Sequence, residues 1–407
     1  MPVSPAALLR ARDALAAAFE GSGPPVELTA DGQALPRPEA RDAARGGHPD
    51  AVAVVRTSGS TGTPKQTVLT GAALTASARA TARRLGGEGT WLLALGLGYV
   101  AGLAVLSRSV QAGTVPVALP PGRFTAEGFA EAAGRLHAPN AGARIVSLVP
   151  TQLARLLAPN AGRAGLRALA GFDHVLVGGA RLDPRLRERA EAAGVPVTAT
   201  YGMSETCGGC VYDGVPLPGV RADLVADPAD PDAPARLRLS GPMVAAGYLD
   251  DPVRTVAHFG GPGGSGDGAS TGEGSARWYL TEDTGTVLSL PGGTQQVAVT
   301  GRVDDVVNTG GVKVSAAAVQ AVIEADDAVA EAAVLGVPDP EWGQAVAAAV
   351  VPADPVAWGE AQRRRVAGVV REALGPAAVP RRWRVLDALP LLPQGKTDRQ
   401  RLHAMLS

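Results

Sequence analysis

Three lysines stand among the 38 basic residues of this 407-residue chain, and each sits in a segment whose neighbours could handle an anion. Lys65 ends the run Thr57-Ser58-Gly59-Ser60-Thr61-Gly62-Thr63-Pro64-Lys65; Lys313 lies in Gly310-Gly311-Val312-Lys313-Val314; Lys396 lies in Pro393-Gln394-Gly395-Lys396-Thr397-Asp398. The other cations are arginines, and isoleucine occurs only at Ile145 and Ile323 amid abundant Ala, Gly and Pro, the mark of a GC-rich coding bias. A lysine that survives such a bias is a candidate for a position needing a compact ammonium rather than a planar fork. In the first run, glycines free backbone N–H groups to turn toward an anion, while the hydroxyls and the ammonium add donors. The apolar residues 52–55 before it read as a buried strand, so a strand feeds a phosphate cradle. It is not a Walker A motif, which needs Gly before the Lys and Ser/Thr after it, whereas Pro64 and Gln66 flank Lys65.

These segments need a scaffold. Ser4-Pro5 reads as an N-cap with proline at the first helical position, opening an amphipathic helix through about residue 19. A polar, Gly/Pro/Arg-rich stretch follows to about Asp50. Then short apolar runs at 51–55, 91–95, 115–119, 145–149, 175–177 and 197–200 alternate with helical patterns at 72–85, 100–111, 126–136, 152–157 and 184–193. That alternation predicts a layered α/β domain. From Arg221 strands without helices are expected at 222–225, 236–239, 278–280, 286–290 and 296–300, with residues 260–275 a mobile Gly/Ser-rich loop. After Gly301-Arg302 a smaller α+β unit begins: helix 316–325, strands 329–335 and 345–351, helix 360–374 and strand 383–386.

Composition narrows the function. Mean hydropathy of +0.09 with 19% charged residues describes a globular chain, and a net charge of −1 argues against nucleic acid or membrane held by bulk electrostatics. No apolar run reaches the ~18 residues of a membrane span, and no signal-peptide pattern opens the chain, so a cytoplasmic protein is expected. Cys207 and Cys210 cannot build a disulfide framework, and no second pair completes a zinc site. They read as small residues of a pocket wall.

Taken in order, the segments resemble the adenylate-forming acyl-CoA synthetase superfamily. Thr57 to Lys65 is similar to its phosphate loop, and Tyr201-Gly202-Met203-Ser204-Glu205 to its Tyr-Gly-x-Ser/Thr-Glu motif. Tyr279-Leu280-Thr281-Glu282-Asp283 resembles Tyr-x-Thr-Gly-Asp, Gly301-Arg302-Val303-Asp304-Asp305 the hinge, and Pro393-Gln394-Gly395-Lys396 the catalytic-lysine motif. The resemblance implies an α/β fold with a large N-terminal domain over residues 1–302, layered α/β plus a β-rich subdomain. A small mobile α+β C-terminal domain over residues 303–407 would carry Lys396. It implies ATP, Mg²⁺ and coenzyme A as cofactors and a small-molecule carboxylic acid as substrate; a homodimer is compatible with it.

Roles follow by position. Thr57, Ser58, Gly59, Ser60, Thr61, Gly62 and Lys65 would hold the β- and γ-phosphates, Ser204 the α-phosphate, and Glu205 the Mg²⁺. Thr200, Tyr201 and Gly202 with the Gly178-Gly179-Ala180 turn would frame adenine, with Tyr201 stacking on it. Asp283, assisted by Arg302, would take the ribose hydroxyls, and Lys396 would bridge the attacking carboxylate and the α-phosphate. Asp304 would be the hinge that swaps Lys396 for the Gly310-Gly311 loop, and Lys313 would meet a phosphate or the hinge surface. Two departures stand out: Gln66 replaces the usual Gly after the lysine, and Glu282 the usual Gly before the aspartate.

For the acid, Tyr99 stands where many members have His, Arg108 follows on the same helix as a candidate cation, and Gly208 lies in the segment after Glu205. The combination of Tyr99-Val100-Ala101-Gly102-Leu103, residues 202–214 and residues 304–314 is similar to o-succinylbenzoate–CoA ligases of menaquinone biosynthesis. Ligases for another aromatic or aliphatic acid, and a stand-alone adenylation enzyme loading a carrier protein in trans, are the competing expectations.

Overall fold

A computed structural model describes residues 3–57, 64–136, 142–158, 162–228, 230, 233–261, 276–392 and 397–407. The chain divides into two compact units. One comprises Met1–Asp223, Arg238–Leu280 and Leu288–Val297; the other comprises Leu224–Leu237, Thr281–Val287 and Ala298–Ser407. No helix among the described residues is long and apolar enough to cross a membrane.

In the first unit a seven-stranded sheet runs Val215–Pro216, Gly208–Tyr212, Val197–Met203, His174–Gly178, Ala143–Leu148, Gly89–Leu93, Val117–Ala118. The last five pair in parallel, and the first two add on antiparallel. Parallel strands are covered on both faces, which is why they read as unbroken apolar runs. Val146, Leu148, Val175 and Val177 pack against Phe129, Ala132 and Ala133 of helix Ala126–Arg135 and Leu153 of helix Pro150–Leu156. Helix Val100–Gln111 lies where the periodicity predicts it. Other helices start where short polar side chains cap them: Ser4 accepts from the Ala7 N–H, Thr70 from Ala73 and Asp183 from Arg185. The run expected at 115–119 forms only the two-residue edge strand Val117–Ala118, because Pro116 and Pro120 cannot donate to a ladder.

A second, five-stranded sheet runs Gly247–Tyr248, Lys65–Thr70, Ala51–Thr57, Val26–Leu28, Ala34–Pro36. Only Ala51–Thr57 is legible as a strand. Its partner Lys65–Thr70 opens on Lys65 and Gln66 and is buried only from Thr67 onward, so composition hides it. The two form an antiparallel hairpin closed by the pair Thr57 and Lys65. The β-rich stretch contains strands Arg221–Val225, Arg236–Ser240, Phe259–Gly260, Trp278–Ser289 and Gln295–Arg302. Residues 278–280 and 286–290, expected as two strands, fall on one continuous strand, Trp278–Ser289, that stops short of Leu290. Most of the loop expected at 260–275 lies outside the described residues.

The second unit holds a sheet in the order Val312–Ser315, Val306–Thr309, Gly343–Pro352, Val329–Asp339, with Arg382–Val385 parallel to Gly343–Pro352. Side chains alternate across it. Val346, Ala348 and Val350 face helices Ala316–Glu324 and Glu360–Leu374, while Ala345, Ala347 and Ala349 face Leu402 and Leu406 of helix Arg399–Leu406.

Phe129 is fully buried, with its ring centroid 6.1 Å from Phe124 and 5.7 Å from Phe172. Phe129→Ala is expected to destabilise the first unit by ~3–5 kcal/mol, read from the urea midpoint of its near-ultraviolet transition.

Candidate active site

The hairpin fixes where Lys65 points. Strand Gly247–Tyr248 pairs antiparallel with Lys65–Thr70, and Tyr248 lies opposite Thr67. Residues two apart share a sheet face, so Lys65 is the diagonal neighbour of Tyr248. Its Nζ sits 5.5 Å from the Tyr248 ring centroid, a cation–π distance. Tyr248 is only 1% exposed, and its hydroxyl donates to Glu205 Oε1 at 2.7 Å. The Tyr279 hydroxyl reaches the same oxygen at 3.4 Å. Burial, then the neighbouring Glu205 charge, pushes the Tyr248 hydroxyl far above its ordinary 10, so it stays a donor.

Glu205 stands in the short turn Ser204–Thr206 that ends strand Val197–Met203. Its backbone is held from two sides: Met203 N–H donates to Thr206 Oγ1 at 3.0 Å, and Ala245 N–H donates to the Glu205 carbonyl at 2.9 Å. Both tyrosines use Oε1; among the described residues no hydrogen bond uses Oε2. Nor do the described residues contain a cluster of three or more His, Cys, Asp or Glu that could hold a metal. One available carboxylate oxygen without a protein cage suits Mg²⁺, which binds through one or two carboxylates and completes its shell with water and substrate phosphates. The residues present therefore fit that ion.

The adenine candidates gather at the carboxyl ends of two parallel strands, where ligands bind in open α/β sheets. Gly178 pairs with Thr200, and a Cβ on Gly178 would fall 2.3 Å from Thr200 Oγ1. Gly179 turns away with φ +82°, carrying Ala180 into the loop. At Gly202 a Cβ would meet the Gly208 carbonyl at 2.1 Å, so Tyr201 and Ser204 hold their places only with glycine between them. Gly208 itself has φ +105° and would place a Cβ 3.5 Å from Ala104, on the helix that Tyr99 caps. Burial raises the Tyr99 hydroxyl above its ordinary 10. Cys207 and Cys210 are buried and their thiols pushed up, Cys210 to about 12, so neither is a thiolate near neutral pH.

Arg108 is not brought to Tyr99. It occupies the last turn of helix Val100–Gln111, nine residues or roughly 13 Å along the axis. Its guanidinium lies 5.1 Å from the Trp91 ring and donates to Thr81 Oγ1 at 3.1 Å. Two residues that sequence reasoning missed support the hairpin side. Tyr248 lay in an unremarked Gly247-Tyr248 pair. Arg37 lay in the polar stretch: only 8% exposed, it donates to Gln66 Oε1 at 2.7 Å and pairs with Glu27 and Glu39. Gln66, the departure from the family glycine, thus anchors the strand that carries Lys65.

In the second unit Thr281 shapes the ribose candidate. The Asp283 N–H donates to Thr281 Oγ1 at 2.9 Å, and that hydroxyl donates to the Leu237 carbonyl at 2.8 Å. Arg302 lies 3.1 Å from Asp283 Oδ1. Glu282, the other departure, is matched by Arg236 at 2.9 Å. Lys313 forms an ion pair with Asp230, and Asp304 lies in the short turn Val303–Asp305. Ser58, Gly59, Ser60, Thr61, Gly62 and Lys396 lie outside the described residues.

The sequence profile of the AMP-binding enzymes matches residues 9–249, and that of the AMP-binding enzyme C-terminal domain matches residues 318–396. A probable 2-succinylbenzoate–CoA ligase of Mycobacterium tuberculosis is 42% identical over 357 residues, spanning 87% of this chain and 84% of that protein. The fold is similar to that of ATP-bound MatB from Rhodopseudomonas palustris, with TM-score 0.70, 25% identity, and 88% and 68% of the two chains covered. It is also similar to the o-succinylbenzoate CoA synthetase of Bacillus subtilis. In complex with its acyl-adenylate intermediate that structure gives TM-score 0.65, 27% identity and 86% and 69% coverage. With ATP and magnesium ion it gives TM-score 0.64 at the same identity, with 86% and 70% covered.

Arg37→Met would leave Glu39 without its ion-pair partner and Glu27 with Arg56 alone. The expected loss is roughly 3 kcal/mol by urea unfolding at neutral pH, the low end for a buried pair because Glu39 keeps some solvent. The hydrogen bond from Arg37 holds the Glu39 carboxyl below its ordinary 4.5. That contribution is present above the unfolded value and is lost as pH falls through the folded one. The gap between wild type and variant should therefore narrow as pH drops below about 4.5.

Proposed function

The chain belongs to the AMP-binding, adenylate-forming enzymes, and from that premise we propose that it is an ATP-dependent acid–CoA ligase that converts 2-succinylbenzoate to 2-succinylbenzoyl-CoA. The observation that carries the reading is 42% identity across 87% of the chain to a protein named for that activity. The Glu205 oxygen that accepts no hydrogen bond from the described residues, on a carboxylate backed by Tyr248 beneath Lys65, supports the adenylating half.

In the first half-reaction a carboxylate oxygen of the acid attacks the α-phosphorus of ATP, and the bond to pyrophosphate breaks. Positioning and charge neutralisation are then the protein's main work. Lys65 and the hydroxyls of Thr57, Ser58 and Thr61 hold the β- and γ-phosphates, and Ser204 donates to the α-phosphate. Glu205 would hold Mg²⁺, which supplies charge against the phosphate oxygens. Tyr201 stacks on adenine, whose edge meets the turn at Gly178, Gly179 and Ala180, and Asp283 with Arg302 takes the ribose. Lys396 bridges carboxylate and α-phosphate. In the second half-reaction the coenzyme A thiol sulfur attacks the acyl carbon, loses its proton, and AMP departs. Asp304 is the hinge between the two poses, and the Gly310-Gly311 backbone, free of side chains, lets the pantetheine arm approach closely.

Mass spectrometry of the protein with ATP, Mg²⁺, coenzyme A and 2-succinylbenzoate, with benzoate and a medium-chain fatty acid in parallel, tests the reading. A strong preference for 2-succinylbenzoyl-CoA is expected. Another preferred acid would keep the ligase and remove the substrate, and adenylate without thioester would point to a carrier protein as acceptor. Lys396→Ala is expected to slow adenylation by ~10²-fold or more while thioester formation from supplied acyl-adenylate survives, because one preorganised donor is worth ~2.7–4 kcal/mol of barrier. Equal losses in both half-reactions, measured in single turnovers, would remove Lys396 from this role.

A further inference from the structure

Tyr248 is held more firmly than a core tyrosine needs to be. Its N–H donates to Thr255 Oγ1 at 2.9 Å, and Gly247 before it makes room for that threonine: a Cβ there would lie 2.6 Å from Thr255 Cγ2. The Phe259 ring meets it edge-on, with centroids 5.2 Å apart at 78°. Pairing with Lys65–Thr70 fixes its height along the hairpin. The ring therefore has one orientation, and both of its functional surfaces are engaged. Its face carries the Lys65 ammonium, and its hydroxyl holds one oxygen of Glu205.

We propose that Tyr248 is a positioning residue for the reaction: it sets the metal-binding oxygen of Glu205 and the phosphate-binding ammonium of Lys65 in register on one rigid ring. A carboxylate with Oε1 committed to a fixed hydroxyl offers Oε2 in a single direction, as hydrogen-bonded ligand carboxylates do at metal sites. The ring face does the equivalent for Lys65, whose stem would otherwise sample several rotamers at the mouth of the hairpin. Tyr279, 3.4 Å from the same oxygen, is a weaker second donor. This inference rests on the reading of Glu205 as the metal ligand.

Two substitutions separate the two surfaces. Tyr248→Phe keeps the ring and deletes the hydroxyl; Tyr248→Leu deletes both. Binding of Mn²⁺ in the presence of a non-hydrolysable ATP analogue, followed by electron paramagnetic resonance, reads the carboxylate. The ratio of ATP-analogue to AMP affinity without metal, from calorimetry, reads the lysine. Tyr248→Phe should weaken Mn²⁺ binding roughly 10–100-fold and leave the metal-free ratio unchanged. Tyr248→Leu should weaken Mn²⁺ similarly and also lower the ratio by roughly two- to fivefold. A purely structural tyrosine would lower the melting temperature without moving either quantity. Wild-type Mn²⁺ binding in Tyr248→Phe therefore overturns the hydroxyl's role, and an unchanged ratio in Tyr248→Leu overturns the ring's. Glu205→Gln tells the two levels apart. If it binds Mn²⁺ like wild type, the metal-ligand reading itself fails. If it loses the metal while Tyr248→Phe keeps it, only the positioning role fails.

Discussion

A buried carboxylate needs donors in place of the water it has lost, and the candidate site in the first unit depends on one such group. Glu205 is 6% exposed and receives two tyrosine hydroxyls on a single oxygen. Those hydroxyls come from Gly247–Tyr248 and Trp278–Ser289, strands that must be laid down in the right register for either to arrive. One residue of slip would turn both side chains to the opposite sheet face. The site is therefore specified by strand pairing as much as by the motif around Glu205.

The same economy explains the glycines. Gly178 and Gly202 lie where adjacent strands end, and a methyl group at either would meet Thr200 or the Gly208 carbonyl far inside contact distance. Removing side chains there lets His174–Gly178, Val197–Met203 and Gly208–Tyr212 close together at their site-bearing ends. The backbone shapes the shelf, and Tyr201, Ser204 and Glu205 project from what remains.

Much of this was legible because it is local. Helix Val100–Gln111 follows from 3.6-residue periodicity, and the parallel strands from short apolar runs bounded by turn residues. The motif residues declare themselves by type and order. What stayed hidden is non-local. Strand Lys65–Thr70 is a strand only because Ala51–Thr57 and Gly247–Tyr248 flank it, and its first two residues are polar. Tyr248 acts on a carboxylate 43 residues away, and Arg37 reaches Gln66 from 29 residues upstream. No window on the sequence contains either pair. Arg108 shows the same limit. Its position on the helix of Tyr99 was legible, but its contacts with Trp91 and Thr81 were not.

The two departures from the family motifs show what a substitution requires when it introduces a polar group beside a candidate site. Gln66 replaces a glycine with a side-chain amide, and the half-buried hairpin accepts it because Arg37 donates to its oxygen. Glu282 replaces a glycine with a negative charge next to Asp283. Two adjacent carboxylates would compete for the same hydroxyl donors and repel a phosphate, yet Arg236 holds Glu282 at 2.9 Å while also donating to the Thr281 carbonyl at 2.7 Å. Period-two alternation completes the separation. Tyr279, Thr281 and Asp283 occupy the buried positions of their strand, whereas Glu282 is half-buried on the opposite face. The extra charge is thus neutralised by its own arginine on the side of the strand away from Asp283, so a residue can change beside the candidate ribose aspartate without changing what that aspartate presents.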